Sequence, residues 1–334
     1  MTLMTKLCSA AATLALTAGA AVAEPALIYD LGGKFDKSFN EAAFNGAERW
    51  AEETGGSYRD IELQSEAQRE QALRRFAEAG ANPIVTTGFA IASILGDVAP
   101  DYPDTKFVNI DGFLQDIPEN VQMISFQEHQ GSYLVGMMAA MASETGTVGF
   151  IGGMDVPLIR HFGCGYAQGA KSVDPDTEVI ANMTGTTPTA WNDPVKGSEL
   201  ARAQISQGAD VIYAAAGGTG VGVLQTAADE DILSIGVDSN QNHLHPGKVL
   251  TSMLKRVDVA VYNAMEAGED LETGSSTVLG LAENGVGVAM DENNEQLVSE
   301  EMMTAVEAAR QEIIDGDLDV VSYYANDSCP AISF

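Results

Sequence analysis

The chain has 334 residues and carries 17 Lys and Arg against 48 Asp and Glu, a formal charge of −31 at pH 7. A field that negative repels nucleic acid and anionic membrane surfaces, which argues against both as partners. The length suits two domains of ordinary size, and three cysteines are too few for a scaffold built on disulfides.

The first 23 residues read as an export leader. Lys6 is the only charge before Glu24, the stretch from Leu7 to Ala20 is small and apolar, and Ala21-Val22-Ala23 is an A-x-A cleavage signature. The run is too short and too rich in alanine for a stable membrane span. Cys8 falls too early in it to serve as a lipobox cysteine. The expectation is a soluble exported protein, cleaved near Ala23, with no lipid anchor and no insertion into the membrane.

Beyond the leader, short apolar runs alternate with stretches of helical period. Strands are predicted at 26–29, 57–62, 83–87, 106–110, 121–125, 147–151, 178–181, 211–215, 232–237 and 249–253. Helices are predicted at 38–53, 66–79, 130–143, 193–207, 257–267 and 294–314. Alternation of this kind, with mostly apolar strands, predicts parallel sheets covered on both faces. Ten strands are too many for one doubly wound sheet and suit two α/β lobes. The loops Leu31-Gly32-Gly33 and Ile151-Gly152-Gly153 open two similar series, a weak internal duplication. Crossings between the lobes are placed near Gln127, in the loop 239–247 and near Gly274. These give lobe 1 as 24–126 plus 248–274 and lobe 2 as 127–247 plus 275–334.

Ligands on such sheets bind outside the carboxyl ends of the strands. Four acids stand there: Asp30, Asp111, Asp155 and Asp238. An ionised carboxylate accepts two hydrogen bonds from a diol, although capping of a following turn explains any one of them equally well. Asp238 is the strongest candidate, because no helix start follows it. Aromatic side chains are scarce, so their loops stand out. Phe35, Phe39 and Phe89 lie in loops of the first half and Trp191 in a polar loop of the second. Aromatics from opposite lobes would sandwich a planar ring. Trp50, within a helix, reads as core.

Gly217-Gly218-Thr219-Gly220-Val221-Gly222 follows a strand and opens a helix, the context of a phosphate loop. The G-x-G-x-x-G spacing is not met, since Val223 occupies the last position. A tight turn that lets backbone approach a ligand is the plainer reading. No G-x-S-x-G elbow, H-E-x-x-H helix or cysteine nucleophile is present. His161 lacks an evident partner and reads as structural. The four histidines show no metal-ligand spacing, so no metal, no cofactor and no catalysis are expected. Cys164 and Cys329 remain after processing. In an oxidising compartment they form either a disulfide or two buried thiols, and the irregular tail around Cys329 favours the bond.

Several motifs in order resemble the basic membrane protein family, the substrate-binding proteins of ABC importers typified by a purine-nucleoside receptor. They are Asp36-Lys37-Ser38-Phe39-Asn40, the run 148–155 with Arg160-x-Phe162-x-x-Gly165-Tyr166-x-x-Gly169, and Ala214-Ala215-Ala216-Gly217-Gly218-Thr219-Gly220. Gly236-Val237-Asp238 and Ser252-Met253-Leu254-Lys255-Arg256 complete the set, and the likeness runs from about Ala26 to the end of the chain. It implies a type I periplasmic binding fold with two lobes and three crossings, a purine nucleoside closed between them, and a permease as partner. It also implies that the base stacks between Phe39 and Trp191, where the family usually has Phe at the second position. Asp30, Asn40 and Asp111 would read the base. Asp238 and Lys255 would hold the ribose, the acid balancing the lysine, with backbone help from Gly217 and Gly218. Many members are lipoproteins, and the leader here departs from that in favour of a freely diffusing periplasmic monomer. A sugar or a riboflavin-like heterocycle is the alternative ligand. A nucleoside- or nicotinamide-dependent enzyme is the alternative of a different class.

Overall fold

The computed structural model describes residues 23–334, so the expected leader lies outside the described residues up to its last residue, Ala23. In chain order the first half holds β1 (Ala26–Tyr29), α1 (Phe39–Thr54), β2 (Arg59–Glu62), α2 (Gln68–Glu78), β3 (Ile84–Thr87), α3 (Ala92–Val98), β4 (Phe107–Ile110) and β5 (Val121–Phe126). Then come α4 (Glu128–Ala142), β6 (Thr147–Met154), α5 (Pro157–Val173), β7 (Glu178–Gly185), α6 (Pro194–Ile205), β8 (Val211–Ala215), α7 (Thr219–Asp229) and β9 (Leu233–Asp238). The last part holds β10 (Val249–Lys255), α8 (Val257–Ala267), β11 (Ser275–Leu279), β12 (Val286–Val288) and α9 (Glu300–Asp315).

The strands form two six-stranded sheets, ordered β11-β5-β4-β3-β1-β2 and β12-β10-β9-β8-β6-β7. The pairs are parallel except β10 with β12. Parallel sheets need crossover helices, which cover both faces and bury the strands completely. β1, β3, β4 and β8 are accordingly buried at every residue. In the second lobe α4 and α5 pack backbone to backbone. A Cβ added at Gly169 would lie 1.9 Å from the Tyr133 carbonyl oxygen, and one at Gly136 would lie 2.1 Å from that of Tyr166.

All ten predicted strands are present, and two more are added. β11 and β12 escape sequence reading because Ser275-Ser276-Thr277 is polar and exposed or half-exposed, and Val286-Gly287-Val288 is very short. They move the lobe boundaries. The expected return to lobe 1 at 248 is wrong, because β10 continues beside β9 with Val249 opposite Ser234 and Leu254 opposite Asp238. The loop 239–247 therefore stays within the second lobe, and the crossing follows Lys255. The final crossing lies beyond Gly274, because β11 pairs with β5 in the first sheet, Ser275 opposite Gln122. It falls between β11 and β12. The crossing near Gln127 is where it was expected.

A second correction concerns Gly152 and Gly153, which are not a loop but the last part of β6. A Cβ at Gly153 would sit 2.2 Å from Cζ3 of Trp191, so this glycine makes the seat of that ring. α9 starts at Glu300 rather than 294, because the Ser299 hydroxyl accepts from the Met302 N–H and caps it there. Cys164 on α5 and Cys329 in the C-terminal tail are joined by a disulfide, the first of the two arrangements expected. Among the described residues no helix is long and apolar enough to cross a membrane.

Candidate functional site

The carboxyl ends of both sheets face one another across a cleft with about 660 Å³ of space not filled by atoms, part of it open to solvent. Asp30 borders it after β1, Phe89 after β3 and Asp111 after β4. Gly217 borders it after β8, while Asp238 and Lys255 end β9 and β10. Phe39 and Asn40, at the start of α1, complete the wall of lobe 1, and Trp191 enters from lobe 2. Nine of the ten residues expected at a ligand site thus line one space. The exception is Gly218, whose Cα faces the Trp191 carbonyl oxygen and the Asp36 side chain instead.

Asp36 organises the entry to α1. Its carboxylate accepts from the backbone N–H groups of Ser38 (2.8 Å), Asn40 (3.1 Å) and Glu41 (3.1 Å). This serves the unsatisfied donors of the helix start. Burial pushes the Asp36 carboxyl up to about 7, and the three N–H groups pull against that rise. With the cap supplied by Asp36, the Ser38 side chain is free to cross the cleft. Its hydroxyl donates to Asp238 Oδ2, and at 3.4 Å to the Val237 carbonyl oxygen. Ser239 Oγ donates back to the Ser38 carbonyl oxygen at 2.8 Å, and Gln241 Nε2 to that of Lys37 at 2.9 Å. These bonds hold the two lobes together, so the structure is a closed form.

Two of the polar side chains assigned to base reading also make bonds within lobe 1. Asp30 accepts a two-pronged hydrogen bond from Arg69, Nε to Oδ1 at 3.0 Å and Nη2 to Oδ2 at 3.2 Å. Asn40 donates through Nδ2 to the carbonyl oxygens of Asp30 (3.2 Å) and Gly33 (3.1 Å). Its Oδ1 accepts from Thr87 Oγ1 at 2.9 Å. Both residues stand on the cleft wall, and these bonds also brace the loop from β1 to α1. Asp155 is not at the cleft at all. It pairs with Arg160 of α5, Nε to Oδ1 at 2.7 Å and Nη2 to Oδ2 at 3.0 Å.

The charge of Lys255 is balanced by more acids than the Asp238 expected from the sequence. Its ammonium does not bond to Asp238 but donates to Asp111 Oδ2, and it lies 2.9 Å from Glu128 Oε1. The rings of Phe39, Phe126 and Phe162 surround it, with centroids 5.3, 5.1 and 5.3 Å away. Only 1% of the lysine side chain is exposed. Burial works to lower its pKa, but Asp111, Glu128 and Asp238 together hold it above the usual lysine range. Burial in turn pushes Glu128 up to about 7 and Asp238 up to about 6, with Lys255 opposing both. Asp111 moves in the same direction for the same reason. Asp111 and Asp238 both have positive φ, 73° and 63°. Asp tolerates that region better than most side chains, and the unusual backbone turns both carboxylates at the strand ends.

Sequence reasoning missed Asp36 and Glu128. Asp36 was visible inside the Asp36-Lys37-Ser38-Phe39-Asn40 motif. Glu128 follows β5 by two residues, so the strand-end rule applied there would have found it. His161, expected to be structural, is buried in the wall behind Glu128, where its Nδ1 accepts from the Tyr323 N–H at 3.2 Å. Among the described residues no group of three or more His, Cys, Asp and Glu is arranged to hold a metal.

The sequence from residue 26 to 322 matches the family model described as ABC transporter substrate-binding protein PnrA-like. The chain belongs to that family. It is 30% identical over 321 residues to the ABC transporter nucleoside-binding protein BmpA of Lactococcus lactis, covering 89% of this chain and 88% of the other. It is 31% identical over 320 residues to the CD4+ T-cell-stimulating antigen of Listeria monocytogenes, covering 88% and 87%. Among solved structures, an ABC transporter solute-binding protein from Aeropyrum pernix superimposes with a TM-score of 0.83 at 30% identity, over 91% of this chain and 95% of that one. The fold is the type I periplasmic binding fold, and the chain is a substrate-binding protein of an ABC transporter. The relatives named here are described as binding proteins or as an antigen.

Proposed function

We propose that this PnrA-like protein is exported to the periplasm, captures a purine nucleoside between its lobes and presents it in the closed form to its permease. The observation that carries this reading is the pair of aromatic rings, Phe39 from one lobe and Trp191 from the other, lining the same cleft. Two such faces suit a planar base, each worth about 1–3 kcal/mol in stacking. The carboxylate of Asp238 and the ammonium of Lys255 suit ribose hydroxyls, as acceptor and donor respectively. Gly217, at the start of α7, lets backbone approach the ligand closely. Of the three candidate readers Asp30, Asn40 and Asp111, the last has an acceptor to spare. Its Oδ1 is buried and has no hydrogen-bond partner, so a ligand N–H or O–H would satisfy it. The name of the Lactococcus lactis relative supports the same ligand class. Binding needs no bond-making step, and the reading assigns no catalytic residue.

A thermal-shift panel tests the ligand class. Purine nucleosides at about 100 times their Kd stabilise a one-site binder by about 2.7 kcal/mol, which raises the melting temperature by several degrees. Free bases, sugars and riboflavin are expected to shift it less. A sugar or riboflavin shift exceeding that of every purine nucleoside refutes the assignment.

A further inference from the structure

We propose that Glu128 is a positioning residue for ligand capture, holding the Lys255 ammonium at the cleft wall before the lobes close. The proposal rests on the reading above, in which Lys255 touches the ligand. Glu128 is the first residue of α4 and the first helical residue of lobe 2 after the chain leaves β5. Lys255 is the last residue of β10, just before the next crossing. The two belong to the same lobe, while Asp111 belongs to the other. When the lobes part, Asp111 leaves the lysine and Glu128 stays with it. Closure therefore adds Asp111 to a lysine that Glu128 has already oriented. An ammonium has three N–H donors. With one toward Asp111 and one toward Glu128, the third remains for the cleft. A long flexible side chain left unpinned would lose that direction and pay rotamer entropy on binding.

Titratable and charged groups surround Glu128 on several sides. Facing it are Lys255 from β10, Asp111 after β4, Tyr213 from β8, His161 from α5 and Tyr324 from the tail, with His129 beside it on α4. His161 Nδ1 accepts from a backbone N–H, so its own proton is on Nε2, which lies 3.9 Å from Glu128 Oε2. Burial holds His129 and His161 far below the usual histidine range, near 4 and near 2, so both are neutral. Both tyrosines are likewise held neutral by burial. Glu128 Oε2 itself has no hydrogen-bond partner. Its carboxyl is pushed by burial to about 7, so its charge is present at about pH 8 and largely lost by about pH 5.5.

The test is calorimetry of inosine binding to the wild type, Glu128→Gln and Lys255→Met. Glu128→Gln keeps the shape and removes the charge. It is expected to bind about tenfold more weakly than wild type at about pH 8, the scale of one charge-assisted hydrogen bond. The ratio is expected to close to about twofold or less at about pH 5.5, where wild-type Glu128 is itself neutral. Titration of Asp36, which does not face Glu128, is common to both proteins and cancels in the ratio; Asp111 does face Glu128, so the two proteins are also compared in an Asp111→Asn background. A role in packing alone gives a ratio that does not change with pH, and that result, or no loss at the higher pH, overturns the proposal. If Glu128→Gln fails to fold, Glu128→Asp replaces it. That variant keeps the charge but draws it back by one methylene, and the same narrowing loss is expected; a constant ratio again overturns the proposal. Lys255→Met separates the two levels. Weakened binding there with none in the Glu128 variants refutes the positioning role, whereas unchanged binding in Lys255→Met refutes the underlying assignment of Lys255.

Discussion

Replacing Asp238 by Ala removes two things at once: a carboxylate that lines the cleft and the acceptor of the Ser38 hydroxyl that ties lobe 1 to lobe 2. Ser38→Ala removes only the second. A hydrogen bond to a buried charged group contributes about 1.5–3 kcal/mol net, which is about tenfold to 150-fold in an equilibrium constant. The tie exists only in the closed form, so its loss lowers the closed population by that factor. Apparent affinity falls in proportion once the closed form is no longer dominant without ligand. Ser38→Ala is therefore expected to weaken nucleoside binding by about tenfold or more, and Asp238→Ala by more than that. Isothermal titration of the two single variants and the double variant checks this. The double variant is expected to come close to Asp238→Ala alone, because the serine has then lost its charged acceptor and keeps only the 3.4 Å contact with the Val237 carbonyl oxygen. Full affinity in Ser38→Ala, or losses that simply add, would refute the latch.

Trp191→Ala is expected to lower nucleoside affinity by about 1–3 kcal/mol, with Trp191→Phe losing much less, as read by titration calorimetry. Gly153→Ala is expected to reproduce much of that loss without touching the ligand, because the added methyl would stand 2.2 Å from the Trp191 ring; intact affinity would show that the ring has another seat. Breaking the Cys164–Cys329 bond by reductant or by double serine replacement opens a link spanning 165 residues. A loss of about 2–4 kcal/mol in denaturant unfolding is expected. Stability is expected to fall as pH rises from 6.5 to about 8. Asp36 and Glu128 are raised by burial to about 7. The folded state therefore holds protons there that the unfolded chain has already released, and the stability they contribute disappears as pH passes their folded values. Below 6.5 the buried His129 and His161 act the other way, since unfolding lets them take up protons. Melting temperatures across this range check the sign, and Glu128→Gln is expected to flatten the upper limb.

Much of the fold was legible because parallel strands buried on both faces read as plain apolar runs. Ala26–Tyr29 and Val211–Ala215 were predicted to the residue. What was not legible depended on pairing rather than composition. Nothing in Val249 to Lys255 says which sheet it joins, and the exposed Ser275–Leu279 carries no hydrophobic alternation. The site shows the same division. Of the four acids the strand-end rule singled out, Asp30, Asp111 and Asp238 line the cleft and Asp155 does not. The rule could not tell that Arg69, 39 residues away in sequence, would occupy Asp30. Nor could it tell that Lys255, 144 residues from Asp111, would choose that acid and Glu128 over Asp238. Ionic partners are set by the three-dimensional crossing of the lobes, which local sequence does not encode.

The central claim, a purine nucleoside held between Phe39 and Trp191, is tested most directly by mass spectrometry. Protein purified without added ligand is denatured, and the small molecules released are weighed against a Trp191→Ala control. The account predicts a purine nucleoside released in stoichiometric amount from the wild type and depleted from the variant. A sugar, a flavin or a nicotinamide nucleotide in its place, retained equally by both proteins, would contradict it.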